Sequence, residues 1–137
     1  MAVKIEARYL GNKRVELTHL DSGAKIQTTA PKDNQGDGNG FSPTDLVAAS
    51  LAACMLTIMG IMAEKQAIDI GGAHAAVEKH MAIEGPRRIA RLPLVIHLPA
   101  RLTTDERGRL EAAARTCPVR HSLLESIEAE PQFVYDV

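Results

Sequence analysis

Two cysteines, Cys54 and Cys117, stand 63 positions apart. A cysteine reacts as its thiolate, so the surroundings of each sulfur decide whether it can do chemistry. Cys54 lies inside Leu46–Ala63, eighteen residues without a charge. It falls about three turns into the helix this run predicts, beyond the first turn where a helix dipole helps an anion. Apolar burial raises a thiol's pKa, so an unaided Cys54 is an inert, small core side chain. A reactive Cys54 needs a cation brought from elsewhere. Cys117 stands directly before Pro118 in TCPVRHSL, near the start of a short helix, where an anion is favoured and a thiol pKa falls. Its plain alternative is an apolar-face cysteine. His121, four residues on, could face Cys117 and form a Cys–His nucleophile pair.

Other chemistries are excluded by spacing. The cysteines form neither a CxxC motif nor a zinc ligand set. His19, His74, His80 and His97 show no ligand spacing and read as surface or strand residues. The loop PKDNQGDGNGF has an acidic, glycine-rich look. Counted from Asp33, its twelfth position is Thr44, where a calcium loop requires a bidentate Glu. Met55, Met59 and Met62 fall on one helical stripe, which suits core packing or an adaptable wall for an apolar ligand.

The elements that must position these residues follow from periodicity. Val3, Ile5, Ala7 and Tyr9 alternate with Lys4, Glu6 and Arg8, the strand period. A turn at Gly11-Asn12 leads to a second strand, Arg14–Leu20. A turn at Asp21–Gly23 leads to a third, Lys25–Thr29, completing a meander. Ser42-Pro43-Thr44-Asp45 starts a helix, with Ser42 at the N-cap, Pro43 at N1 and Asp45 at N3. That helix is predicted to run to about Gln66. On it Ser50, Cys54, Thr57 and Ile61 share a stripe. Residues 73–83 and 88–98 read as two longer strands around a turn at Gly85-Pro86, the second weakened or made an edge by Pro93. Thr103–Glu106 is a capping box opening a helix through Leu110, Ala113, Ala114 and Cys117. Pro118–Leu124 is a short helix, and Gln132–Tyr135 a last strand. The order is β-β-β-α-β-β-α-α-β, an α+β fold in a single domain over residues 1–137.

Composition narrows the function classes. Aromatics are few, with two Tyr, two Phe and no Trp, so the core is built from Ala, Leu, Ile, Val and Met. A net charge of −1 gives no basic footprint for nucleic acid. The apolar run sits at the lower length limit of a membrane span. Its alanines, with Ser50, Thr57 and Gly60, favour a buried helix instead. Charged Lys4, Glu6 and Arg8 exclude a signal peptide at the start, so a cytoplasmic location is expected.

Two motifs together carry a family likeness. SPTDLVAASLAAC (Ser42–Cys54) and TCPVRHSL (Thr116–Leu123) resemble the OsmC/Ohr family of organic-hydroperoxide-resistance proteins. The shared pattern is a Pro-containing helix start, an Ala-rich stretch with a Cys, and a distant Cys-Pro-Val. The resemblance spans nearly the whole chain. It implies an intertwined homodimer, with antiparallel sheets wrapped around long central helices. It also implies a cofactor-free thiol peroxidase that reduces organic hydroperoxides to alcohols. Cys54 would be the peroxidatic thiol and Cys117 the resolving one. A dithiol reductant, lipoylated or thioredoxin-like, would reopen their disulfide. The family's arginine beside the reactive thiol matches Arg14, which could otherwise be an exposed strand residue. Ohr-type members carry Glu directly after the helix-start Pro. Here Thr44 holds that place and Asp45 follows, which fits the broader OsmC-like branch. Asp45 would then hold Arg14 or complete the capping box. Two rival readings remain: a non-catalytic protein holding an apolar ligand in a dimer cleft, and a hydrolase built on Cys117 and His121.

Overall fold

The computed structural model describes residues 1–137 and divides into two compact units, Met1–Leu46 and Val47–Val137. In the first unit, strands β1 (Ile5–Gly11), β2 (Arg14–His19) and β3 (Lys25–Thr28) form an antiparallel meander with β2 in the centre. The chain reverses after β1 through Gly11, Asn12 and Lys13, all with positive φ. Residues paired across a sheet share a face. Ala7 opposes Leu17, Tyr9 opposes Val15, and Leu17 opposes Ile26, so one face is apolar. Ile5, Tyr9 and Ile26 on it are 64%, 67% and 54% exposed, so nothing within the unit covers that face. The other face is polar and carries the ion pairs Arg8–Glu6 and Lys25–Glu16.

Helix α1 (Pro43–Lys65) starts as the sequence predicts. The amide of Ser42 donates to Asp45 Oδ2 at 2.9 Å, and the amide of Asp45 donates to Ser42 Oγ at 3.1 Å. This is a capping box with Asp in place of the usual Glu. By length and composition alone α1 could cross a membrane.

The second unit buries one stripe of α1: Ala48, Leu51, Met55, Met59 and Ala63. These recur at helical spacing. They join Leu92, Leu94, Ile96, Leu98, Leu110 and Ala114 in the core. The two long strands predicted at 73–83 and 88–98 are each broken in two. Strands β4 (His74–Val77) and β5 (His80–Met81) return as β6 (Ile89–Arg91) and β7 (Leu94–Leu98). The break falls at Pro93, which has no amide to give the ladder. The edge-strand reading of the second half is corrected here. β7 is central, flanked by β4 and β8 (Pro131–Tyr135), and Leu94, Ile96 and Leu98 are buried. Pro93 is tolerated because it lies just outside the strand, where its carbonyl accepts from the Glu78 amide. β8 pairs parallel to β7, so the chain crosses over through α2 (Thr104–Ala114) and α3 (Pro118–Ser122).

α2 opens on the predicted capping box of Thr103 and Glu106. It is tied to β8 by Tyr135, whose hydroxyl donates to Glu111 beneath the guanidinium of Arg107. Burial, then Glu111, pushes the Tyr135 phenol above its ordinary value of 10.0. The folded state therefore holds that proton more tightly than the unfolded chain. The resulting stability is present below pH 10 and is lost as pH rises beyond it. Tyr135→Phe is expected to destabilise the fold by about 1 kcal/mol at neutral pH. It should also flatten the alkaline decline in the urea midpoint.

Candidate functional site

The second unit brings Cys54 and Cys117 together. Both are free thiols, and they are neighbours close enough for Cys54 to bear on the Cys117 thiol electrostatically. They are not equivalent. Cys54 is half-buried, whereas Cys117 is fully buried within the hydrophobic core. α1 alone sets the position of Cys54. Its predicted stripe-mates Ser50, Thr57 and Ile61 are exposed, with Ser50 and Thr57 hydroxyls donating to the carbonyls of Val47 and Ala53. Cys54 thus lies at the margin between the helix's buried and open sides.

Cys117 is the N-cap of α3, with Pro118 at the first helical position. Its Sγ accepts from the Arg120 amide at 3.4 Å. The guanidinium of Arg120 then donates to the carbonyls of Leu124 and Ile127, at 3.3 and 3.1 Å. One residue therefore both holds the sulfur and closes the turn beyond it. The helix start was expected to lower the Cys117 pKa. Instead burial pushes it above the ordinary thiol value of 9.0, with the neighbouring Cys54 adding to the rise. The Arg120 amide acts in the opposite direction but is outweighed. Desolvation wins because the sulfur is fully buried and has only one short helix turn to compensate. Cys117 thus holds its proton, and the accessible sulfur is that of Cys54. His121, the other half of the expected Cys–His pair, is exposed, whereas Cys117 is buried.

The first unit holds the other two residues singled out from sequence, Arg14 and Asp45. Arg14 opens β2 and pairs with Asp37, Nη2 to Oδ2 at 3.1 Å. Its Nη1 donates to Gln27 Oε1 at 3.4 Å. Asp37 also accepts from the Asn39 amide at 3.0 Å and from the Thr29 hydroxyl at 3.3 Å. The Asn39 amide first, then the Arg14 charge, hold its carboxyl below the usual range. Asp45 serves the capping box. Sequence reasoning missed Asp37 because it lies in the loop before the helix, not in a periodic element. Its signal was the DNQGDG turn chemistry.

Gly36 is what places Asp37. A Cβ there would lie 1.7 Å from the Ala30 carbonyl oxygen. The loop folds back because only glycine permits that approach. Gly36→Ala is expected to cost roughly 1–3 kcal/mol, read as a lowered thermal midpoint, and to release the Asp37 carboxylate from its partners.

Chemically, a half-buried thiol beside a protonated, buried one can accept an electrophilic oxygen and then close a disulfide. Comparison with known proteins gives the lineage. A family model described as OsmC-like protein matches residues 36–132. A crystal structure from Psychrobacter arcticus 273-4, of a protein assigned by name to osmotic stress induction and a detoxification response, is 40% identical. It superposes with a TM-score of 0.90 over 98% of this chain and 97% of its own. An organic hydroperoxide resistance protein OsmC of Legionella pneumophila is 20% identical with a TM-score of 0.75, covering 97% of this chain and 96% of its own. That likeness is one of fold. An uncharacterized protein of Acinetobacter baylyi is 28% identical over 95% of this chain and 92% of its own length.

Proposed function

The chain belongs to the OsmC-like protein family, and from that premise we propose that it is a cofactor-free thiol peroxidase for organic hydroperoxides. The observation that carries this reading is the unequal thiol pair, with Cys54 half-buried and Cys117 buried beside it. Several solved neighbours bear the name organic hydroperoxide resistance protein, among them those of Legionella pneumophila and Elizabethkingia anophelis.

The proposed cycle uses only the chain's own groups. The Cys54 thiolate attacks the distal peroxide oxygen and the O–O bond breaks. The alkoxide leaves, takes a proton and departs as the alcohol. Cys54 is now a sulfenic acid. Cys117 gives up its proton and attacks the Cys54 sulfur, expelling water and forming the disulfide. A dithiol reductant, lipoylated or thioredoxin-like, restores both thiols by exchange. Arg14 is the proposed cation for the thiolate and peroxide oxygens. Asp37 orients it in this reading, and Asp45 supports the helix start.

The working form in this proposal is a cytoplasmic homodimer of single-domain chains, spanning residues 1–137. The exposed apolar face of Ile5, Tyr9 and Ile26 supports an apolar partner surface. So does α1, whose Gly60 leaves open space where a Cβ would be. The deciding experiment is intact-mass spectrometry after one equivalent of cumene hydroperoxide. A loss of two hydrogens mapped to a Cys54–Cys117 disulfide supports the proposal. An unmodified Cys54 overturns it in favour of a non-catalytic apolar-ligand protein.

A further inference from the structure

We propose that Arg120 is the positioning residue of Cys117: its side chain ties the α3 turn to the segment beyond it and so keeps its own amide aimed at the Cys117 sulfur as that sulfur ionises. This role deepens the peroxidase reading and rests on it, since there Cys117 is the resolving thiol.

α3 spans only Pro118–Ser122, far too short to persist without contacts outside itself. Within it the His121 amide donates to the Cys117 carbonyl at 3.1 Å, and the Ser122 hydroxyl donates to the Pro118 carbonyl at 2.8 Å. The Arg120 guanidinium reaches out of the turn. Its Nη1 donates to the Leu124 carbonyl at 3.3 Å and its Nη2 to the Ile127 carbonyl at 3.1 Å. The far end of this tie is anchored. Ile127 is buried. Next to it, the Glu128 amide donates to the Ala90 carbonyl at 3.2 Å, and the Leu92 amide donates to the Glu128 carbonyl at 2.7 Å. A planar fork spanning two carbonyls fixes orientation as well as distance, which a single ammonium does not.

The near end of the tie is the sulfur. The Arg120 amide donates to Cys117 Sγ at 3.4 Å. Burial pushes the Cys117 thiol up and Cys54 adds to the rise, while the Arg120 amide is foremost among the groups that pull it down. A donor aimed at the sulfur favours the thiolate over the thiol. Because that donor is already in place, no reorganisation is needed when the charge appears. Without the guanidinium, a five-residue helix has little to stop its amide from turning away. The reactivity of a buried thiol thus depends on a side chain that never touches its sulfur.

The test is the two-step reaction of the full reduced chain with the aromatic disulfide DTNB. The Cys54 thiolate displaces one thionitrobenzoate and carries the other as a mixed disulfide. The Cys117 thiolate then attacks the Cys54 sulfur, closes the protein disulfide and expels the second thionitrobenzoate. In the wild type the second release should speed up as pH rises. In Arg120→Ala its pH profile should move up by about one pH unit, the effect of losing one donor to a thiolate. At neutral pH that step should slow roughly 3-fold, since a scarcer thiolate is also a stronger nucleophile. Arg120→Lys keeps the charge but not the fork and should fall between. His121→Ala removes an exposed side chain from the same helix and should match the wild type. An unshifted profile in Arg120→Ala would overturn the role. So would equal slowing of both releases, the same shift in His121→Ala, full recovery in Arg120→Lys, or a wild type that releases fewer than two groups. No peroxide takes part. A chain that releases both groups but is inert to cumene hydroperoxide would end the peroxidase reading without touching the tie between Arg120 and Cys117.

Discussion

Cys54→Ser is expected to lower organic-hydroperoxide turnover by roughly three or more orders of magnitude, to the uncatalysed background. The reason is chemical: a hydroxyl at that position stays protonated at neutral pH and cannot displace an alkoxide from oxygen. Cys117→Ser should behave differently. It should release one alcohol per chain in a first burst and then stop, its Cys54 held as a sulfenic acid. Excess peroxide should carry that sulfur up to the sulfinic acid, seen as two added oxygens. The pH dependence separates the steps. Burial, then the neighbouring Cys54, push the Cys117 thiol up, so at neutral pH it is protonated. Closure of the disulfide requires its thiolate, so that step should speed up as pH rises towards the Cys117 pKa. Stopped-flow kinetics would detect it. Equal turnover in wild type and Cys54→Ser would end the peroxidase reading.

Arg14→Ala is expected to reduce the second-order rate constant for peroxide by roughly 10–100-fold, the scale of losing one electrostatic stabiliser. Stability should barely move. The Arg14–Asp37 pair is about a third to a half exposed, and such surface pairs contribute about 0–1 kcal/mol. A large kinetic loss with an unchanged unfolding midpoint would therefore mark a functional arginine. Arg14→Lys keeps the charge but loses the forked donors, and should fall between the two. Asp37→Asn should cost less than Arg14→Ala, because Gln27 still touches the guanidinium. Unchanged kinetics in Arg14→Ala would return this residue to the role of a strand-surface ion pair.

Much of this was legible in the sequence because the governing rules are local. Alternation located β1, β2 and β3. Ser42 and Asp45, and Thr103 and Glu106, announced their helices through side chains that satisfy nearby amides. The thiol pair was reached through motif resemblance, not spacing. What stayed hidden depended on distant contacts. Pro93 looked like an edge marker, but the parallel arrival of β8 makes β7 central, and no local pattern encodes that partner. Asp37 is aimed by a backbone contact between Gly36 and Ala30. The sign of the Cys117 shift turned on burial by Leu110, Ala114 and their neighbours, which local helix rules do not count.

The burial of Cys117 would also give the oxidised protein of the proposed cycle a direction. In the proposed cycle an incoming thiol meets the bridge at the half-buried sulfur of Cys54, so Cys54 would form the mixed disulfide and Cys117 would be the leaving group. Because Cys117 returns to a site that favours its protonated form, the departing thiolate is reprotonated where it lands. Re-attack on the mixed disulfide is thereby slowed. The same desolvation therefore retards bridge closure both from the sulfenic acid and from the mixed disulfide.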